Sequence, residues 1–140
     1  MNEQRFSYVG IAGAVAGIVG LFGIYATWWE TELATYHGVA DVSGKLALAM
    51  SIGLFAFGGG YVLLSDAGIR RALGALVTLC AVVLTFACVW ALGRGDQVAQ
   101  GTSTGQGILV SALGGIVGIA AGLLSLRNSQ IEDAGPSAGA

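Results

Sequence analysis

Apolar residues fill four stretches of the chain, roughly Tyr8–Thr27, Leu46–Leu64, Ala72–Leu92 and Ile108–Leu126, and none of the four contains a charged side chain. Each is about 19–21 residues long, and about 20 residues of helix cross the hydrocarbon core of a bilayer. The pattern predicts an all-α membrane protein, a four-transmembrane-helix bundle spanning residues 1–127. Between the stretches the chain turns polar. Trp28–Lys45 carries Glu30, Glu32, His37 and Asp41, the short segment Ser65–Arg71 carries Arg70 and Arg71, and Gly93–Gly107 is rich in Gly, Gln, Ser and Thr. The polar tail 128–140 is expected to be disordered.

Basic residues favour the cytoplasmic side of a membrane. Arg5, Arg70, Arg71 and Arg127 fall on one side of the expected topology, Lys45 and Arg94 on the other. Four against two places both termini in the cytoplasm and the acidic first loop outside. Aromatic residues fit the same layout. Tyr25, Trp28, Trp29 and Trp90 collect at the outer boundary, and Phe6, Tyr8 and Tyr61 at the inner one, where amphipathic rings settle among lipid headgroups. Trp28, Trp29 and Trp90 are therefore expected as interface anchors. A cleaved leader is not expected, because Tyr25-Ala26-Thr27 is a poor cleavage site and the basic region ahead of the apolar stretch is weak.

Small residues are sorted onto faces. At 100° per residue, Gly10, Gly13, Gly17 and Gly20 fall within about 80° on the first helix, and Ala49, Gly53, Ala56 and Gly60 within about 60° on the second. Gly74, Thr78, Ala81, Thr85 and Cys88 share about 80° on the third. On the fourth, Gly107, Ser111, Gly114, Gly115, Gly118, Ala121, Gly122 and Ser125 occupy an arc of about 120°. Lipid tails are as apolar as leucine, so hydrophobicity cannot drive helices together in a membrane, whereas close approach at small residues can. Gly13, Gly17, Gly20, Gly53, Gly60, Gly114, Gly118 and Gly122 are expected to line packing surfaces, within the bundle or against a partner. Superposing Trp29 on Trp90 also superposes Gly13 on Gly74, Gly44 on Gly105 and Gly53 on Gly114, as a duplicated helical hairpin would.

Composition restricts function further. Of 140 residues, 55% are hydrophobic and 10% charged, against a usual charged share of about 25%. No basic patch accompanies the net charge of -2, so nucleic acid is not an expected partner. Charges within spans mark proton relays and ion paths, and there are none. The hydroxyls of Ser51, Thr78, Thr85, Ser111 and Ser125 are expected to bond to a carbonyl one turn back. Cys80 and Cys88, about 12 Å apart along a helix, are too far for a bridge and read as small packing residues.

Candidate chemistry is sparse. His37 with Glu30, Glu32 and Asp41 is the set nearest to a metal site, but its spacing repeats no known one, and no metal or cofactor is expected. Gly58-Gly59-Gly60 lacks the lysine and strand of a phosphate loop, and is expected to permit a kink or a close helix contact. Arg94-Gly95-Asp96 matches an integrin-binding tripeptide too short to carry weight. In layout, with four helices, termini inside and tryptophans in a larger first outer loop, the chain resembles the tetraspan claudin-type proteins. The likeness is architectural, since their first loop carries a paired-cysteine motif and this one has no cysteine.

The expected role is non-enzymatic: a small structural or assembly subunit in a cell or envelope membrane, packing with itself or a larger membrane protein. The alternative is an oligomeric channel or solute-transporter component whose interfaces are lined by Ser, Thr and Gly. The face assignment predicts that Gly118→Leu lowers thermal stability in detergent by several degrees while Ile119→Leu leaves it nearly unchanged; equal melting of the two variants counts against the assignment.

Overall fold

Segments that must satisfy every backbone N–H and C=O internally become helices, and the apolar stretches do so here. The computed structural model describes residues 2–98 and 102–133. Its elements are α1 (Asn2–Tyr25), β1 (Thr27–Glu30), β2 (Thr35–His37), a 3-10 turn (Gly38–Ala40), α2 (Val42–Leu63), α3 (Ala67–Leu92), the single turn α4 (Gly95–Val98), β3 (Ser103–Thr104) and α5 (Gln106–Asp133). Four of these helices, α1, α2, α3 and α5, are long and apolar enough to cross a membrane.

All four long helices extend past the uncharged stretches at one end at least. α3 begins at Ala67 because Asp66 caps it, its Oδ1 accepting from Ile69 N–H at 3.0 Å. Arg70 and Arg71 thus lie in the helix, and Arg70 Nε donates to Leu64 O at 2.7 Å. α5 continues to Asp133, so residues 128–133 are helical where a disordered tail was expected. Neither Pro nor Gly occurs between Gly122 and Gly135, and the polar residues there include good helix formers. Residues 134–140 of the expected tail lie outside the described residues.

The connections opposite the α2–α3 turn are not plain loops. β1, β2 and β3 form a three-stranded antiparallel sheet in the order β2-β1-β3. Trp29 pairs with Tyr36 on one side and Thr104 on the other, and a bulge lies between Thr27 and Trp29. β3 comes from the connection between α3 and α5, so the sheet ties the two helical hairpins together at one end.

The long helices pack in a ring, α1 on α2, α2 on α3, α3 on α5 and α5 on α1, around a core that includes Ile24, Leu54, Val77, Ala81, Leu84 and Ile108. Three of the four interfaces bring a glycine against a neighbouring backbone. A Cβ built on Gly17 would lie 2.5 Å from Phe55 N, and one on Gly58 2.7 Å from Gly13 C, closing α1 on α2. On Gly114 it would lie 2.7 Å from Ala16 O, and on Gly122 2.9 Å from Thr78 Cα, closing α5 on α1 and α3. The α2–α3 interface differs: there Gly53 faces Cys80 Sγ and Gly60 faces the Leu73 methyls, both side chains.

The orientation of α2 departs from the expected face. Its buried residues are Ser43, Gly44, Ala47, Ser51, Leu54, Gly58 and Tyr61, an arc centred roughly 150° from the Ala49, Gly53, Ala56 and Gly60 stripe. Ala49 and Ala56 are exposed, and Gly53 and Gly60 half-buried beside α3. α2 is apolar all round, so its own sequence does not choose a face; the closest backbone fit, Gly58 against Gly13 and Ala14, does. Gly58→Ala is predicted to destabilise the bundle by about 1–3 kcal/mol, since a methyl must displace α1 backbone. Gly59 has nothing within 4 Å of its added Cβ, so Gly59→Ala should gain up to about 1 kcal/mol from helix propensity. Paired thermal melts in detergent read both.

Candidate functional site

Because β1 leaves α1 after a single residue, it folds Trp28 and Trp29 back over the sheet end of the bundle instead of outward. Trp28 has 0% and Trp29 2% of its surface exposed, so neither reaches headgroups as an anchor would. Trp28 Nε1 donates to Gly23 O at 3.0 Å. Its ring has Gly38 on one side and Gly107 against Cδ1, where a Cβ would come within 2.7 Å. The two indoles meet edge to face at 5.7 Å between centroids, a favourable quadrupole arrangement. Gly105 N–H donates to Trp28 O at 2.8 Å, fixing the start of α5 to the same tryptophan. Trp90, by contrast, is 55% exposed on α3, with Phe86 tilted against it at 6.0 Å.

The expected glycines divide. Gly13, Gly17, Gly20, Gly114, Gly118 and Gly122 are buried at helix crossings, whereas Gly53 and Gly60 sit half-buried at the α2–α3 edge. Gly20 faces the Ser51 hydroxyl and lies near Leu84, at the middle of the bundle. The hydroxyls divide as well. Thr78 Oγ1 donates to Gly74 O and Thr85 Oγ1 to Ala81 O, each at 2.9 Å and one turn back. Ser111 Oγ instead crosses to Gly20 O on α1 at 3.3 Å, because the glycine there brings the two helices close. Ser51 Oγ, Ser125 Oγ and Trp29 Nε1 are buried with no hydrogen-bond partner among the described residues.

Asp41 caps α2, its Oδ2 accepting from Ser43 N–H at 3.0 Å and from the Ser43 hydroxyl. Partial burial raises its pKa, but the hydrogen bonds from Ser43 and Val42 and the positive charge of Arg94 outweigh it and hold the carboxyl below its ordinary 3.8. Among the described residues no cluster of His, Cys, Asp and Glu could hold a metal ion; His37 is exposed on β2. Cys80 and Cys88 are buried free thiols.

A groove runs beside this cap between α2 and α3. It encloses about 210 Å³ and is lined by residues including Ser43, Leu46, Phe86, Ala87, Trp90 and Arg94. Sequence reasoning placed Trp90 near this depth but found neither the groove nor the sheet. The alternation of β-branched and aromatic residues in Thr27-Trp28 and Thr35-Tyr36 was the available strand signal. No family model, no curated protein and no solved structure matches the chain.

Capping at Asp41 has a pH signature. A folded-state pKa below the unfolded value adds stability above the unfolded value, which is lost as pH falls through the folded one. Melting temperature should therefore hold between pH 7 and 5 and fall below about pH 4. Asp41→Ala should cost about 1 kcal/mol at neutral pH and flatten that acid limb, as read by melts across pH.

Proposed function

We propose that this chain is a non-enzymatic, multi-pass integral membrane protein that serves as a structural or assembly subunit, docking through the outer face of α2. The carrying observation is the placement of small residues. On α1 and α5 glycines are used inside the bundle, and the exposed positions include Ile11, Val15, Phe22, Leu109, Leu113 and Ile116. On α2, Ala49 and Ala56 face outward with Gly59 open beside them. A small-residue stripe facing lipid gains little from acyl chains but permits close approach of another helix.

The topology in this reading has both termini in the cytoplasm. Arg5, Arg70, Arg71 and Arg127 then lie inside, and the sheet with Glu30, Glu32 and Asp41 lies outside. The pairing of α1 with α2 and of α3 with α5 fits a duplicated hairpin, although Trp29 lies in a strand and Trp90 in a helix. A channel between copies has less support, because Ser51, Ser111 and Ser125, which would line it, are turned into the bundle.

The test is a photocrosslinking amino acid at residue 56 compared with one at residue 109, on the lipid-exposed side of α5, in native membranes. Protein adducts should form at 56 and lipid adducts alone at 109, and Ala56→Trp should weaken association about tenfold, roughly 1.4 kcal/mol. Equal protein yields at the two positions count against the α2 face, and labelling of a cysteine at residue 2 from outside reverses the topology.

A further inference from the structure

Of the four helix interfaces, the α2–α3 one lacks glycine-to-backbone contacts in the pairs described above and meets through side chains. It opens toward the sheet end into the 210 Å³ groove. A second, wider hollow of about 620 Å³ shares Phe86, Trp90 and Arg94 with it and continues over Val89, Gly93 and Gln97. Phe86 and Trp90 stand one turn apart in a column along α3, and Arg94, in the turn just past the end of that helix, continues it, lining the hollow on each flank. The column passes from apolar to cationic where the spans end: Leu92 is the last residue of α3 and Val42 the first of α2.

The geometry points to a phospholipid site astride this column, one acyl chain in each hollow beside Phe86 and Trp90 and the phosphodiester at Arg94. The inference rests on the membrane reading above. Two hollows separated by an aromatic ridge suit a two-chained ligand. Charge complementarity selects its head: a guanidinium offers a fork of N–H donors that matches phosphate oxygens. Arg94 is half-buried, and its Nε reaches Gln97 Oε1 only at a long 3.4 Å. Asp41, the acidic neighbour, has its carboxylate engaged by the Ser43 amide and hydroxyl. The indole of Trp90 sits at the depth where amphipathic rings meet headgroups.

Trp90 reports on the site directly. Trp28 and Trp29 are buried, and Trp90→Phe supplies their background signal. The purified full chain in detergent micelles is titrated with phosphatidylglycerol carrying brominated acyl chains, and separately with brominated diacylglycerol, which has the chains and no phosphate. Quenching of Trp90 by the phospholipid should saturate at low mole fraction. Arg94→Gln should raise the half-saturating fraction about tenfold, Arg94→Lys should raise it less, and diacylglycerol should quench only at high mole fraction in either protein. Near-ultraviolet circular dichroism checks that the variants keep the native packing of Trp28 and Trp29. A well-folded Arg94→Gln protein with an unchanged curve, or equal potency of the two brominated lipids, overturns the site and leaves the membrane reading standing. Absence of quenching by either lipid overturns both.

Discussion

The structure depends on the contact of one helix backbone with another at glycine. Where Gly17 meets Phe55 N, Gly58 meets Gly13 and Gly122 meets Thr78, no side chain separates the two main chains. In water such crossings would add to a hydrophobic driving force. In surroundings as apolar as the side chains themselves, they are the principal source of helix association, through dispersion and Cα–H···O contacts. They also set register, because a Cβ at any of these positions would have to displace backbone.

From that constraint the rest of the bundle follows. Close crossings bring Ser111 within reach of Gly20 O, converting a hydroxyl that could bond within its own helix into a link between α1 and α5. They also draw the sheet end together tightly enough for Trp28 to seat between Gly38 and Gly107 and donate to Gly23 O. The sheet then couples the two hairpins through β1 and β3, so the end of the bundle is closed by paired backbone. The α2–α3 interface is held by side chains, and the groove at Trp90 and Arg94 opens there.

The candidate sites were legible to different degrees, for physical reasons. On α5, eight small residues crowd one arc against Leu109, Leu113, Ile116 and Leu123 on the other, and all eight are buried. On α2 both arcs are apolar and both contain small residues, so periodicity could not say which side would meet α1; the fit of Gly58 to a distant segment made the choice. Trp28 and Trp29 have the composition of headgroup anchors, and what buried them was pairing with β2 and β3. β3 lies more than 70 residues from β1, and no local signal in the first loop contains that partner.

Length and apolarity alone determined that four segments would be helices able to cross a membrane, because both properties belong to each segment by itself. Capping at Asp66 and Asp41 is nearly as local, each aspartate accepting from an amide two or three residues ahead. Tertiary structure decided the properties that belong to pairs of segments: the face α2 presents, the partner each serine finds, and the inward turn of the two tryptophans. Such properties depend on which surfaces approach closest, and closeness between segments far apart in the chain is set only when all four helices are in place.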